Sequence, residues 1–265
     1  FNVPLDNYGD IIDDTRIVSS LPTIKYLNDQ KCKLIICSHL GRPKGYDKFL
    51  SLFPVAVSLM KYFPNTVKFS SKVTGKEVEN MVANMKGGDI LLLENLRFDS
   101  REEENDPTFV KELASLADIY VDDAFGVAHR KHASNYGVAL KLPNAIGFLI
   151  EKELNAFSKA FENPKKPFVA ILGGAKVKDK LTLINNVVRK ADTVLVGGGM
   201  AYTFLLANGI KIGKSIVNLD LVDNAREILK NAKEKGTKIV LPVDHVALLG
   251  EKVVKTNELI KDMVG

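Results

Sequence analysis

The sequence predicts an α/β fold made of two Rossmann-like domains, each a three-layer α/β/α sandwich with a parallel sheet. Six short apolar runs recur along the chain, and each is unbroken rather than alternating. Unbroken runs are typical of strands that are buried on both faces. Amphipathic stretches separate the runs, and this alternation favours parallel sheets with right-handed crossovers. With 265 residues, of which 46% are hydrophobic and 26% charged, the chain is long enough for two domains.

The predicted strands are the six apolar runs, at 34–37, 90–93, 119–121, 168–172, 193–196 and 238–241. Helical spacing of apolar residues predicts helices at 52–62, 74–84, 107–116, 181–190, 201–208 and 221–235. A further helix lies within 15–29, where Pro22 leaves two possibilities. The helix begins either near Ser19 or at Thr15, and in the second case it bends. The last residues, 262–265, continue a helical pattern.

A domain boundary is predicted where an apolar stripe of helical spacing runs from Gly147 to Phe161. The net charge changes there, from −1 over residues 1–147 to +6 over residues 148–265. We therefore expect a first domain over 1–146, a connector helix over 147–163 and a second, incomplete domain over 164–265. The alternative is an ordinary crossover helix within one large sheet.

Composition argues against several classes of protein. Five of the seven arginines and three of the four histidines lie in the first half, so the charge is not a uniform coat for nucleic acid. No apolar run reaches membrane-spanning length, and the start lacks a signal-peptide pattern. Cys32 and Cys37 form neither a disulfide framework nor a paired zinc motif, and no other cluster has metal-ligand spacing. We expect a cytoplasmic, monomeric protein that binds no nucleic acid, membrane or directly held metal.

Cationic side chains follow three predicted strands of the first half, at the sheet edge where ligands bind in open α/β sheets. They are His39 and Arg42 after the first strand, Arg97 after the second, and His129 and Arg130 after the third. Arg16 could join them from the start of its helix. Because a guanidinium matches carboxylate and phosphate oxygens in pairs, these residues predict a site for a small polyanion.

The alternative interpretation is that these arginines form structural ion pairs with neighbouring acids. The candidate acids are Asp13, Asp14, Glu94, Asp122 and Asp123. Arg101 lies in the acidic run 101–104, which we interpret as a solvated surface loop and exclude from the site. His132 is interpreted as a hydrogen-bonding loop residue rather than a ligand.

Two glycine-rich turns follow strands of the second half, at 173–174 and 197–199, and Lys176, Lys178 and Lys180 follow the first of them. Such turns let phosphates approach backbone N–H groups at a helix start. Neither is a Walker A loop or a Gly-x-Gly-x-x-Gly fingerprint, and glycines also serve tight turns. His245 after the last strand is interpreted as a solvated loop residue. A polyanion site and a nucleotide-phosphate site that face each other predict phosphoryl transfer, with domain closure excluding water.

At these residues the chain resembles the phosphoglycerate kinase family, in motif order and over essentially its whole length. The matching motifs are FNVPL at 1–5, DTRI at 14–17, SHLGRP at 38–43, ENLRF at 94–98, DDAF at 122–125, AHR at 128–130, GFL at 147–149, GGAKV at 173–177, DK at 179–180 and GGGMA at 197–201. The resemblance implies glycolytic transfer of the acyl phosphate of 1,3-bisphosphoglycerate to ADP with Mg²⁺, giving 3-phosphoglycerate and ATP.

The resemblance also implies roles for individual residues. Those implied to hold the glycerate substrate are Asn2, Arg16, His39, Leu40, Gly41, Arg42, Arg97 and Arg130. Those implied to face the nucleotide phosphates are Gly173, Gly174, Lys176, Lys180, Gly197, Gly198 and Gly199. Arg16 and Lys180 would be catalytic, because both would stabilise the phosphoryl group in transfer.

The chain departs from the family pattern at its ends. By that pattern a strand precedes Phe1, and the rest of the nucleotide domain, with the aspartate that takes the Mg²⁺, follows Gly265. We therefore expect a fragment of this extent to be inactive by itself and its parent to be a working kinase. Two rival functions stay open: a dinucleotide-dependent dehydrogenase, and a non-catalytic anion-binding α/β protein. The dehydrogenase would need a Gly-x-Gly-x-x-Gly turn, and none is evident.

Overall fold

A computed structural model describes residues 1–162, 164–175, 180–259 and 261–265, except for the side chain of Leu181. Its contacts divide the chain into two units, Phe1–Ala156 and Phe157–Gly265. The helices are α1 Thr15–Asp29, α2 Phe53–Met60, α3 Lys76–Ala83, α4 Arg101–Glu104, α5 Pro107–Ala114, α6 Phe148–Phe161, α7 Leu181–Val188, α8 Met200–Ala207 and α9 Val222–Lys235. The strands are β1 Leu34–Ile36, β2 Val67–Phe69, β3 Ile90–Leu92, β4 Tyr120–Asp122, β5 Asn144–Ile146, β6 Val169–Gly173, β7 Thr193–Gly197, β8 Lys238–Val240, β9 His245–Leu249, β10 Lys252–Thr256 and β11 Met263–Val264.

The first unit contains two parallel sheets, with strand orders β1-β3-β2 and β4-β5. All of β3 is buried, and its side chains alternate between two hydrophobic clusters. Ile90 and Leu92 join the cluster packed by α1 and α2, whereas Leu91 joins the cluster packed by α5. Helices therefore cover both faces of this sheet, and the three-layer prediction is confirmed at its central strand.

Helix α1 begins at Thr15 and continues through Pro22, which decides between the two predicted starts. Proline removes one backbone hydrogen bond from a helix interior. The buried stripe of Ile17, Leu21 and Ile24 stabilises the helix in spite of that loss, since it packs into the first-unit core. Arg16 therefore lies in the first turn of α1.

The second unit combines a parallel sheet of order β6-β7-β8 with an antiparallel sheet of order β10-β9-β11. Helices α7, α8 and α9 contribute Ile184, Phe204 and Ile228 to one core with β7. Ile171 in β6 is 78% exposed, so its apolar run does not mark a strand buried on both faces. The helical prediction for 262–265 is wrong, because Met263 and Val264 pair with β9.

Helix α6 runs from Phe148 to Phe161 and crosses the division between the two units. It follows the predicted apolar stripe, but the domain limits at 146 and 163 stay predictions. Asn163 lies outside the described residues. Within the described part of the chain, no helix is both long enough and apolar enough to cross a membrane.

Candidate functional site

The main-chain N–H and carbonyl groups of Gly41 connect two other predicted substrate residues of the first unit, Asn2 and Arg97. The Gly41 carbonyl oxygen accepts from Arg97 Nη1 at 2.8 Å, and the Gly41 N–H donates to Asn2 Oδ1 at 2.9 Å. Arg16 Nη1 in turn donates to the backbone carbonyl of Asn2. Residues from the chain start, α1, the loop after β1 and the turn after β3 thus form one connected network.

Gly41 owes its place in this network to its lack of a side chain. Its φ is +66°, a left-handed conformation that side chains rarely adopt. A Cβ there would also lie 2.9 Å from Leu50 Cδ2, inside normal contact distance. The glycine therefore lets the loop that carries His39 and Arg42 turn tightly against the 3-10 turn Lys48–Leu50.

Asn95 holds the same loop in place. Its side-chain amide is fully buried and makes hydrogen bonds through both of its polar atoms. Its Nδ2 donates to the Leu40 carbonyl at 2.8 Å and to the Leu50 carbonyl at 2.9 Å. Its Oδ1 accepts from the N–H groups of Leu40 at 3.2 Å and Arg97 at 3.1 Å. Buried amides with all partners present specify one local conformation. The backbones of Leu40 and Arg97 are therefore held in register with each other.

Arg42, Arg130 and His39 all lie within electrostatic range of Arg97. Burial lowers the pKa of Arg97. The nearby Glu103 carboxylate raises that pKa in part, and the charges of Arg130 and Arg42 lower it. Burial, followed by the Arg97 charge, lowers the pKa of His39 to about 4. His39 is therefore neutral near pH 7 and offers a hydrogen bond rather than a charge.

The alternative of structural ion pairs receives little support from the acids that the sequence suggested. Glu94 accepts from the Ser51 hydroxyl at 2.7 Å and the Leu52 N–H at 2.8 Å, and Asp123 accepts from Thr23 at 2.6 Å. Among the described residues, Arg42 and Arg130 have no ion-pair partner. Both guanidiniums are exposed, and both remain available to an anion.

Arg97 does have a carboxylate partner, Glu103, which sequence reasoning did not single out. Arg97 Nε lies 3.2 Å from Glu103 Oε1. The contact is electrostatic, because this buried Nε makes no aligned hydrogen bond to any described residue. A buried donor without a hydrogen bond costs free energy, which the attraction of the Glu103 carboxylate offsets in part.

The acidic run 101–104 is not the solvated loop that the sequence predicted. It forms α4, in which Glu102 is only 3% exposed. Glu102 accepts from the Ser134 hydroxyl at 2.6 Å and the Ser134 N–H at 3.0 Å. Arg101 is bound by Asp99 and Glu112, which agrees with its exclusion from the site. His132 is a hydrogen-bonding residue as predicted, although it is buried.

The two glycine turns of the second unit lie against each other. Gly173 and Gly197 are register partners at the ends of β6 and β7, and Met200 N donates to the Gly174 carbonyl at 2.7 Å. Gly198 has φ +65°, and a Cβ there would lie 3.1 Å from Gly174 N. The backbones at Gly174 and Gly198 therefore approach so closely that Gly198 must be glycine. This close approach brings main-chain N–H groups to the start of α8.

Lys180 joins this glycine pair, because its Nζ donates to the carbonyl of Gly173. A Cβ on Gly174 would lie 2.6 Å from the same Nζ, so the ammonium group covers that glycine closely. Lys176, the other predicted nucleotide contact, lies outside the described residues. In the second unit the structure therefore places Lys180 and the five predicted glycines together.

A cavity of about 460 Å³ opens beside these turns, within the second unit. Its lining includes Ala175, Gly198 and Gly199, together with Tyr202, Ile216 and His245. The rings of Tyr202 and His245 lie 5.6 Å apart between centroids. Sequence reasoning missed these last three residues. Tyr202 looks like part of an apolar core helix, and His245 like a loop residue, so neither carries a local signal for a site.

Comparison with known proteins places this geometry in a family. The model of the family "Phosphoglycerate kinase" matches residues 1–264. The phosphoglycerate kinases of Dictyoglomus turgidum and Aquifex aeolicus are 54% and 52% identical to the chain, over 94% and 96% of its length. The chain spans 62% and 64% of those two proteins. The solved structure of the phosphoglycerate kinase from Coxiella burnetii aligns with a TM-score of 0.82 at 38% identity, covering 99% of this chain and 68% of that one. The chain belongs to the phosphoglycerate kinase family.

Proposed function

We propose that this protein transfers the acyl phosphate of 1,3-bisphosphoglycerate to ADP, reversibly and with Mg²⁺, giving 3-phosphoglycerate and ATP. The observation that carries the proposal is the network centred on Gly41, whose main-chain N–H and carbonyl bind Asn2 and Arg97, while Arg16 binds the carbonyl of Asn2. Exposed guanidiniums without ion-pair partners among the described residues lie within electrostatic range of that network. Such a site suits a small, multiply anionic substrate.

The first unit would hold the phosphoglycerate. In this proposal the forks of Arg42, Arg97 and Arg130 bind its phosphate and carboxylate oxygens, and neutral His39 adds a hydrogen bond. Leu40 and Gly41 shape the loop between these groups. Asn2 would contact the substrate, and Arg16 would also stabilise the phosphoryl group as charge develops on its oxygens.

The second unit would hold the nucleotide phosphates. Main-chain N–H groups of the paired glycine turns offer donors to phosphate oxygens, and the residues proposed are Gly173, Gly174, Gly197, Gly198 and Gly199, with Lys176 and Lys180. Lys180 supports this proposal most directly, because its ammonium lies at Gly173 and Gly174. A cation there would offset charge on the phosphoryl group in transfer.

Magnesium fits this arrangement as a partner of the nucleotide phosphates. Within the ranges that the structure describes, no group of three or more His, Cys, Asp or Glu side chains could hold a metal ion. Mg²⁺ commonly binds through substrate phosphates and one or two carboxylates, and it neutralises phosphate charge when bound. The glycine turns and Lys180 provide donors for phosphates, so the nucleotide would bring the metal to the site.

In the proposed reaction, a terminal phosphate oxygen of ADP attacks the phosphorus of the acyl phosphate. The bond from phosphorus to the acyl oxygen breaks, and 3-phosphoglycerate leaves as a carboxylate. The chain's own residues would contribute position and charge rather than a covalent intermediate. We propose the domain limits predicted from the sequence, and a cytoplasmic monomer that binds neither nucleic acid nor membranes.

Three measurements test the proposal. An intact mass first establishes the extent of the protein in the sample. Calorimetric titrations with 3-phosphoglycerate and with Mg·ADP then measure binding, and a coupled assay measures ATP formation. Binding of both ligands is expected from this chain, whereas turnover is expected from the full-length protein.

A further titration with NAD(H), together with the ATP-formation assay, discriminates between the rival functions. A dinucleotide-dependent dehydrogenase would bind NAD(H) in preference to Mg·ADP. An anion-binding scaffold would bind 3-phosphoglycerate but would form no ATP even at full length. The proposed function would be contradicted if the chain failed to bind 3-phosphoglycerate, or if it failed to bind Mg·ADP.

A further inference from the structure

A buried amide, Asn135, lies next to the exposed loop that carries Arg130. Asn135 is 8% exposed and belongs to the π-helical turn Ala133–Gly137. Arg130 itself is exposed, and the structure records no hydrogen bond or ion pair for its guanidinium within the described ranges. The conformation of its main chain must therefore be set by other contacts.

Those contacts come mainly from the side chain of Asn135. Its Nδ2 donates to the Val127 carbonyl at 2.8 Å and to the Arg130 carbonyl at 3.0 Å. Its Oδ1 accepts from the N–H groups of His132 at 3.1 Å and Tyr136 at 2.7 Å. One amide thus binds both ends of the loop, on either side of Arg130.

The π-helical turn that carries Asn135 is itself held by several contacts. Buried Glu102 accepts two hydrogen bonds from Ser134, the residue before Asn135. The His132 side chain accepts from the Asn135 N–H, which completes a reciprocal cap. Gly137 packs so closely against Val110 that a Cβ would overlap with it. Asn135 is therefore held by packed neighbours, whereas the loop that it binds is open to solvent.

Besides Asn135, the backbone of Arg130 has one hydrogen-bond partner among the described residues, because its N–H donates to the Val127 carbonyl at 2.9 Å. The Val127 carbonyl therefore receives two donors, one from Arg130 and one from Asn135. If the amide donors were lost, the turn would keep a single internal bond, and the guanidinium of Arg130 would sample a wider volume.

We infer that Asn135 is a positioning residue that fixes the main chain of Arg130 for phosphoglycerate binding, an inference that rests on the proposed function. The substitution Asn135→Asp keeps the acceptor and the shape, removes both donors and adds a negative charge, whereas Asn135→Ser removes the donors without adding charge. The affinity for 3-phosphoglycerate is expected to fall about tenfold, the size of one weakened charge-assisted contact.

A double-mutant cycle with Arg130→Ala separates positioning from a general loss of stability. If Asn135 acts through Arg130, Asn135→Asp should weaken binding less than about twofold once Arg130 is already alanine. Asn144→Asp is the matched control, because Asn144 also donates to two carbonyls, those of Ala139 at 2.9 Å and Leu142 at 3.2 Å. It should lower stability without changing the affinity for 3-phosphoglycerate.

Amide hydrogen exchange of 127–131 provides a readout that does not need the ligand. Asn135→Asp should accelerate exchange in this segment, whereas Asn144→Asp should not. Asn135→Ser, which is neutral but too short to reach both carbonyls, should show the same effects without the added charge, and it stands alone if Asn135→Asp does not fold. Unchanged exchange, or additive effects of Asn135→Asp and Arg130→Ala on affinity, would overturn the inference. A wild-type chain that binds no 3-phosphoglycerate would contradict the proposed function instead, and hydrogen exchange would still decide the role of Asn135.

Discussion

Arg97 donates from Nη1 to the carbonyl oxygen of Gly41 at 2.8 Å, across 56 residues of sequence. The contact joins the turn after β3 to the loop after β1, which are two of the places where the sequence predicted anion-binding groups. Only 6% of the Arg97 side chain is exposed. Arg97 therefore shapes the loop through this contact, and we propose that its positive charge also serves a bound anion.

We predict that Arg97→Lys weakens binding of 3-phosphoglycerate by about tenfold or more, because lysine has no fork to hold Gly41 and an anion together. Calorimetric titration measures this change. Arg101→Lys is the matched control, since Arg101 binds Asp99 and Glu112 instead. Equal affinities of the two variants would refute the role of Arg97.

The candidate residues of the first-unit site could be predicted because ligands of open parallel sheets bind at the carboxyl ends of the strands. His39, Arg42, Arg97 and Arg130 were found by that rule, and electrostatic proximity relates them in the structure. Their roles in binding stay predictions.

What the sequence could not provide is the set of groups that hold these residues. Asn95 and Glu102 act through hydrogen bonds to residues far away in sequence, whereas Asn135 binds carbonyls five and eight residues before it. No spacing along the chain indicates any of these contacts. Glu102 was misjudged for a physical reason, because a run of charged residues normally faces water. Its burial depends on Ser134, which is 32 residues away in sequence.

The fold shows a similar division between local and long-range information. Strands such as β3 and β7 were predicted from their apolar runs. The antiparallel β9 and β10 and the short β5 were missed, because β5 is exposed along its length and β9 and β10 are largely so. Their pairing depends on neighbouring strands rather than on a local apolar pattern.

We predict that His39 makes stability depend on pH between about 4 and 6.5. Burial, then the Arg97 charge, lowers the pKa of His39 from 6.5 to about 4 in the folded state. In this window the unfolded state binds the proton more readily, so stability falls as the pH falls. The melting temperature of His39→Asn should therefore fall less than that of the wild type between pH 7 and pH 4.5. Parallel curves for the two proteins would contradict the lowered pKa.

Gly198→Ala is predicted to destabilise the second unit and to weaken Mg·ADP binding. Both effects follow from a Cβ that would lie 3.1 Å from Gly174 N, where the two turns meet. Gly209→Ala is the control, because Gly209 also has a positive φ, +78°, but no atom lies within 4 Å of its Cβ position. The control should cost about 1 kcal/mol for the left-handed backbone alone. Chemical denaturation and titration with Mg·ADP would show whether Gly198→Ala costs more, and equal losses would contradict the close approach of the turns.

Lys180→Ala is predicted to lower kcat for ATP formation by about a hundredfold in the full-length protein, the usual loss for one group that stabilises a transition state. The affinity for ADP should change less, because main-chain N–H groups of the glycine turns remain. Lys190→Ala is the matched control. Lys190 Nζ also donates to a backbone carbonyl, that of Phe161 at 2.7 Å, but Lys190 lies beyond the other end of α7. Because both variants lose one lysine and one carbonyl contact, their stabilities should be similar, and only Lys180→Ala should lose turnover. Similar kcat values for the two variants would exclude Lys180 from phosphoryl transfer and leave it as a residue that supports the glycine turns.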